Sequence, residues 1–335
     1  MIMLFALISF FSCAKPVPKQ TFFVLGTTCT INLGQAGTKD VYAECFSYLS
    51  ELELVLSANR SDSNVEAINR EAGVKPVVAH PYTLEVLTTA LDIARMTNGA
   101  FDPTIGPLVK LWGIGTEDER RPSNEEIDEA RALVSWKMVQ VDTEAGTVYL
   151  PVKGMRLDLG AIAKGYAADG LSRLLSTRGV HRGIIDLGGN ILTLGDKSPG
   201  QAWKIGIRDP RITRGGPVMG LPVISKTVVT SGIHERFFVE NGNHWHHIID
   251  PATGYPAQSK LLSVSIIGST SMIADALSTS VFIMGQEKGL DLVQKFPDIE
   301  AILIDNTNKV YVSPGLTNSI SILDTAFIKA SDTTQ

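Results

Sequence analysis

Alternation and helical spacing divide the chain into segments. Thr21 to Leu33 alternates apolar and polar positions around Gly26, which predicts a strand pair or one bent strand broken at that glycine. From Asp40 to Leu56 the apolar residues Val41, Cys45, Leu49, Leu52 and Leu56 recur on one side of a helix. A polar loop follows over Ser57 to Ser63, then a short helix through Ile68. Pro81 to Asn98 reads as a helix stopped by Gly99, where a left-handed cap is favoured. Ser123 with Glu126 forms a capping-box pattern for a helix to about Val134. Val139 to Asp142 and Val148 to Leu150 predict a hairpin.

The second half has the same grain. Arg156 to Leu159 alternates like a short strand, turns at Gly160 and continues as a helix from Ile162 to Arg178. Gly183 to Ile191 reads as a buried strand interrupted by Gly188 and Gly189. Residues 195 to 222 are rich in glycine and proline and predict strands with irregular connections. Val228 to Gly232 and Leu262 to Gly268 read as strands, and Met272 to Met284 as a helix stopped by Gly285. Ile299 to Asp305 and Lys309 to Val312 close the pattern as a strand pair before a polar tail.

Composition narrows the class. The chain has 335 residues, 44% hydrophobic and 19% charged, with a net charge of −5, so it can bury an ample core. A mildly acidic chain without long basic runs argues against nucleic acid as a partner. Met1 to Phe11 is apolar apart from Ser9, too short for a stable bilayer span but long enough for the core of an export signal. Ser12-Cys13 after that run resembles a bacterial lipoprotein cleavage site, although Phe10 and Phe11 depart from its usual residues and no Lys or Arg precedes it. The expectation is an exported lipoprotein, anchored through Cys13 on the periplasmic side of the inner membrane. Cys29 and Cys45 are expected as buried free thiols, and they lack zinc-site spacing.

Two stretches carry candidate chemistry. At the Asp158–Lys164 corner, free helix N–H groups, the helix dipole and a lysine suit a polyphosphate, although glycine-rich corners also occur in ordinary packing. Asp275 and Thr279, four apart, share one face of their helix. An aspartate among Ile273, Ala276 and Leu277 needs a cation or a hydrogen-bonding cap, because an unpaired buried carboxylate is costly. His244, His246 and His247 could suggest metal ligation, but a strand would point His246 and His247 to opposite faces. Ala100-Phe101-Asp102-Pro103-Thr104 offers an apolar ring and an acceptor, or simply ends the preceding helix.

Together, Gly99-Ala-Phe-Asp-Pro-Thr, Asp158-Leu-Gly-Ala-Ile-Ala-Lys-Gly, Asp186-Leu-Gly-Gly-Asn, Thr230-Ser-Gly, His247-Ile-Ile-Asp-Pro-Ala-Thr-Gly and Ala274-Asp-Ala-Leu-Ser-Thr resemble the ApbE family over about residues 22 to 315. Its members are FAD:protein FMN transferases, formerly described as thiamine biosynthesis lipoproteins. The resemblance implies an α+β fold of antiparallel sheets with packed helices rather than a Rossmann fold, and neither glycine-rich corner reads G-x-G-x-x-G. It implies a leader and spacer over residues 1–20, one ApbE-like domain over 21–320 and a polar tail over 321–335.

The implied reaction is Mg²⁺-dependent transfer of FMN from FAD to a threonine or serine of a target protein, with release of AMP. By the same resemblance the Ala161 carbonyl, Asp275 and Thr279 would hold Mg²⁺. Lys164 would neutralise phosphate, and His247, a plausible proton carrier or phosphate contact, together with Asp275 would complete the catalytic set. Leu25, Asn59, Ala100, Phe101, Asp102, Asp158, Gly188, Gly189, Ile249 and Ser278 would join Lys164 in contacting FAD. Leu25 stands where the family often has methionine. Asn59 stands where many relatives have tyrosine, so a stacking surface is lost and a polar lining is offered to water. Implied targets are exported subunits of RNF- and NQR-type redox pumps. Two alternatives are a Mg²⁺-dependent FAD pyrophosphatase, with water as acceptor, and an FAD-binding lipoprotein without chemistry.

Overall fold

The computed structural model describes residues 17–212 and 215–330, so the leader and Cys13 lie outside the described residues. A nine-stranded sheet runs in the order Gln20–Val24, Thr27–Asn32, Gly183–Leu187, Asn190–Leu194, Thr227–Gly232, Leu261–Gly268, Glu300–Asp305, Lys309–Val312, Ile328–Lys329. Every neighbouring pair is antiparallel except the last. The arrangement is α+β and antiparallel-rich, without doubly wound crossovers. Gln20–Val24 and Thr27–Asn32 are a true pair, closed by a two-residue turn in which Leu25 and Gly26 both have positive φ, 56° and 64°. For leucine that backbone is strained.

Period-two alternation separates the two faces of the sheet. Val229, Val264, Ile266, Ala301 and Leu303 enter the larger core. Val228, Ile267, Ile302 and Ile304 enter a second core, against the strands Trp203–Arg208 and Pro217–Val223 of a three-stranded sheet. Helices α1 (Lys39–Leu56), α2 (Asn64–Arg70), α3 (Pro81–Met96), α4 (Gly106–Trp112), α5 (Asn124–Arg131), α6 (Gly160–Thr177), α7 (Ser271–Met284) and α8 (Gln286–Val293) complete the fold. On α1 the predicted stripe is buried at Cys45, Leu49, Leu52 and Leu56. Cys29 and Cys45 are buried free thiols, and burial pushes both up to about 12. The capping box at Ser123 and Glu126 is complete, but α5 ends at Arg131, before the predicted Val134.

Several expectations change. Arg156 to Leu159 is an extended segment with one isolated bridge, Ile105 to Arg156, not a strand. Its neighbour α6 begins at Gly160 itself. The hairpin Gln140–Asp142 and Thr147–Tyr149 gains a third strand, Val77–Val78. Helix α4 was not predicted, because seven residues are too few to show a period. Gly285, at φ 79°, turns the chain directly into α8 instead of ending the helical region. Residues 321–330, read from sequence as tail, supply strands Ser321–Ile322 and Ile328–Lys329.

Helices α6 and α7 make the contact that positions the site. A side-chain carbon on Gly165 would lie 2.3 Å from the Ser271 carbonyl oxygen and 2.6 Å from Met272 Cα. Asp169 of α6 caps α7 from outside, accepting from Ser271 N at 2.8 Å and Met272 N at 2.9 Å. Gly165→Ala is expected to force these helices apart and destabilise the protein by about 1–3 kcal/mol, read as a lower urea midpoint at unchanged slope.

Candidate functional site

Two hairpin tips and the first turns of α6 and α7 converge at one end of the main sheet. Lys164 Nζ donates to Gly160 O at 3.3 Å and lies 3.7 Å from Asp275 Oδ1. Asp275 is buried, and its Oδ2 accepts from Gly165 N at 2.9 Å. In an uninterrupted helix that N–H would serve the Ala161 carbonyl four residues back. A donor engaged by a carboxylate has less to give Ala161, so this carbonyl is the backbone acceptor best placed to take another partner.

One turn further on α7, Ser278 Oγ donates to Asp275 O at 2.8 Å. Ser231 Oγ, on the neighbouring strand, lies 2.7 Å from Ser278 Oγ and 3.5 Å from Thr279 Oγ1. Alternation explains this: Ser231 shares the helix-facing side of its strand with Val229. The resulting group of carboxylate, hydroxyls and backbone carbonyl is an all-oxygen set.

The tip Gly188–Gly189, with φ of 67° and 96°, is held by Gly189 N donating to Asp186 Oδ1 at 2.8 Å. A side-chain carbon on Gly188 would sit 2.2 Å from Thr27 Oγ1, so this tip packs against the Leu25–Gly26 hairpin. Arg236 Nη2 reaches the Gly26 carbonyl at 3.3 Å. The Arg236 carbonyl in turn takes His247 N and His247 Nδ1, each at 3.2 Å. Because a carbonyl only accepts, Nδ1 carries the proton and Nε2 keeps a lone pair. Burial, reinforced by the Arg236 charge, pushes His247 down to about 3. His247 is therefore neutral at pH 7, with one nitrogen able to accept a proton. His246 turns the other way, into the core beside Ala257 O.

The helix-start cradle read from sequence is mostly used internally. Gly160 N donates to Asp158 Oδ1 at 2.8 Å, and Ile162 and Ala163 N both donate to Leu159 O. Lys164 and the dipole, more than open N–H groups, remain to attract an anion. The Ala100–Thr104 segment is similarly occupied. Phe101 is buried in the main core, so its ring presents no free face. Asp102 accepts from Thr104 N, Thr104 Oγ1 and Trp136 N, at 2.8, 2.6 and 3.0 Å. Burial raises its pKa against those bonds. What the segment can offer a ligand is backbone, including that of half-buried Ala100.

Asp158 N donates to Pro103 O, and Arg156 ties Glu66 at 2.6 Å and the Ala58 carbonyl at 3.3 Å. These contacts place exposed Asn59 beside the same corner. Ile249 is buried in a third apolar cluster with Leu108, Trp112 and Ile127. Sequence reasoning missed Glu235 and Arg236, which come two residues after the Thr230-Ser-Gly motif. A charged pair at a strand end reads as a solvated turn, and only the fold brings it to Gly26, Gly189 and His247.

The ApbE family model matches residues 25–303. The chain belongs to the ApbE family. It is 40% identical over 324 residues to the FAD:protein FMN transferase of Treponema pallidum (strain Nichols), covering 91% of this chain and 89% of that protein. The Klebsiella pneumoniae (strain 342) protein of the same description is 36% identical, with 84% and 87% covered. Among solved structures, the ApbE protein of Thermotoga maritima superposes with a TM-score of 0.81 at 32% identity, over 89% of this chain and 97% of that one. The flavin transferase ApbE of Vibrio cholerae gives 0.77 at 28% identity, over 88% and 96%.

The geometry makes a spectroscopic prediction. Imidazole nitrogen NMR should show His247 neutral and protonated on Nδ1 down to about pH 4; a midpoint near 6.5 would remove the basis for its acceptor role.

Proposed function

We propose that this ApbE-family chain transfers FMN from FAD to a threonine or serine hydroxyl of a target protein, releasing AMP, with Mg²⁺ bound at the α6–α7 contact. The observation that supports this most is Asp275 held between Lys164 and Gly165 N at 3.7 and 2.9 Å, in a chain whose relatives are described as FAD:protein FMN transferases.

Mg²⁺ favours oxygen ligands and retains water. Asp275, the Thr279 hydroxyl and the Ala161 carbonyl form such a set, and they are the residues that would hold it. The ion would supply charge neutralisation for the diphosphate as its bond breaks. Lys164 contributes a second positive charge on the same side. The neutral His247 Nε2 is the group suited to take the proton of the acceptor hydroxyl. In the transfer, that oxygen bonds to the FMN phosphorus, the bond from phosphorus to the AMP oxygen breaks, and AMP departs with the electron pair. Leu25 and the backbone at Ala100–Asp102 would border the flavin nucleotide, with Asp158 beside them and Ser278 supporting the Asp275 turn. The Gly188–Gly189 tip allows backbone to approach the diphosphate closely.

The same reading places the protein outside the inner membrane, anchored by a lipid on Cys13 and acting on exported redox-pump subunits. A second reading, FAD hydrolysis, is favoured by Asn59, which is exposed beside the Asp158 corner and brings an amide where a ring would exclude water.

Incubation with FAD, Mg²⁺ and a candidate acceptor should give flavin fluorescence that survives denaturing electrophoresis, with AMP released in proportion. Asp275→Ala is expected to lower that rate about a thousandfold, a loss of about 4 kcal/mol of barrier reduction. Equal labelling by Asp275→Ala would defeat the proposal. In reactions without acceptor, Asn59→Tyr should reduce AMP release severalfold; an unchanged rate would show that Asn59 does not admit the water.

A further inference from the structure

Glu235 lies in the polar cluster, yet the proposed transfer gives it no task. It follows the strand Thr227–Gly232, and its N–H turns back to Gly232 O at 3.5 Å. The flanking backbone is fixed. Ile233 N donates to Leu262 O at 3.1 Å, and Arg236 is fastened to both Gly26 and His247. Glu235 Oε1 lies 4.0 Å from the position a side-chain carbon would take on Gly189, so the carboxyl overhangs the glycine tip. Among the described residues its oxygens take part in no hydrogen bond or ion pair.

The charges around it are known. Lys164 on α6, Arg236 on its own turn and Arg208 on the strand Trp203–Arg208 favour the ionised form, and Asp275 on α7 disfavours it. Glu235 is exposed at the surface, while the protein atoms packed around its carboxyl penalise the charged form. That desolvation dominates, and Glu235 is pushed up to about 7. A diphosphate arriving here would add negative charge and engage Lys164. Both effects disfavour a second anion at the same place.

We propose that Glu235 takes up a proton when the dinucleotide binds and, as the neutral acid, donates a hydrogen bond to the diphosphate, so that recognition of these phosphates is linked to pH. This rests on FAD being the ligand. The sign follows from the two states. Below about pH 6 Glu235 is already protonated in the free protein, and affinity is flat. Above pH 7 the free protein must gain a proton to bind, and affinity falls towards tenfold per pH unit.

The test is FAD binding to flavin-free protein, followed by quenching of flavin fluorescence from pH 6 to 8.5, with Mg²⁺ and with a chelator. Calorimetry in buffers of different ionisation heat counts the protons. The wild-type protein should lose affinity about tenfold between pH 7 and 8.5 and take up about half a proton per FAD at pH 7. Glu235→Gln, which imitates the neutral acid, should bind with a flat pH profile, take up no proton and bind more tightly than wild type at pH 8.5. A flat wild-type profile, or proton uptake that survives Glu235→Gln, would overturn the inference while leaving FAD as ligand. A folded wild-type protein that binds no FAD at any pH would overturn the FAD reading itself, and this inference with it.

Discussion

The close crossing of α6 over α7 is the constraint on which the site depends. At Gly165 the two backbones approach so closely that any side chain would meet the Ser271 carbonyl. That approach brings the Gly165 N–H within 2.9 Å of Asp275, so a buried carboxylate on one helix is satisfied by the backbone of the other. Asp169 fixes the same crossing from below by capping the start of α7. One glycine and two aspartates therefore set the register of the helices. Lys164, immediately before the glycine, is carried to the charged face as a consequence. Moving α6 by one residue would turn Lys164 away and present a different side chain to α7, since successive helical residues differ by about 100° in direction.

That crossing also organises the electrostatics. Asp275 is deeply buried but has a backbone donor and a cation, which makes its burial tolerable. His247 is desolvated by burial and lies beside the Arg236 charge, which make its protonation costly despite the Arg236 carbonyl that accepts from Nδ1. Glu235 has neither a donor nor a direct ion-pair partner among the described residues. Three ionisable groups in one neighbourhood thus meet three different environments. Such divergence is how a single site can hold a charge, accept a proton and carry a proton at the same pH.

Much of this was legible in the chain. The stripe on α1, the capping box at Ser123, the glycine stops and the alternation of the sheet strands all depend on local chemistry, and they form near the expected positions. The pairing of the Asp158–Lys164 stretch with Asp275 could be inferred from resemblance, because neither half carries the signal alone. What sequence could not show was how side chains were already used. Phe101 and Asp102 look like a binding face and an acceptor; in the fold the ring is core and the carboxylate staples its own loop. The N–H groups at the start of α6 look open, yet Asp158 and Leu159 take those of Gly160, Ile162 and Ala163. Glu235 failed in the opposite sense, because its neighbours at Gly189, Lys164 and Asp275 come from three distant segments.

A recurring motif residue therefore need not touch a ligand to be required by the site. Asp102 joins the end of α3 to the Trp136 turn, Asp158 closes the start of α6, and Asp186 shapes the glycine tip. Each carboxylate accepts from at least one backbone N–H, and each loop so fixed borders the Lys164–Asp275 pair or the corner that leads into it. Exchanging Asp102 for an amide would keep the size but set a donor against an N–H or hydroxyl that needs an acceptor, because both of its oxygens are used. That loop would lose an anchor while the groups expected to meet the ligand remained unchanged. On the proposed reading, the flavin nucleotide would meet backbone held in place by these acids, with a few side chains, among them Lys164, Glu235 and His247, left to respond to charge.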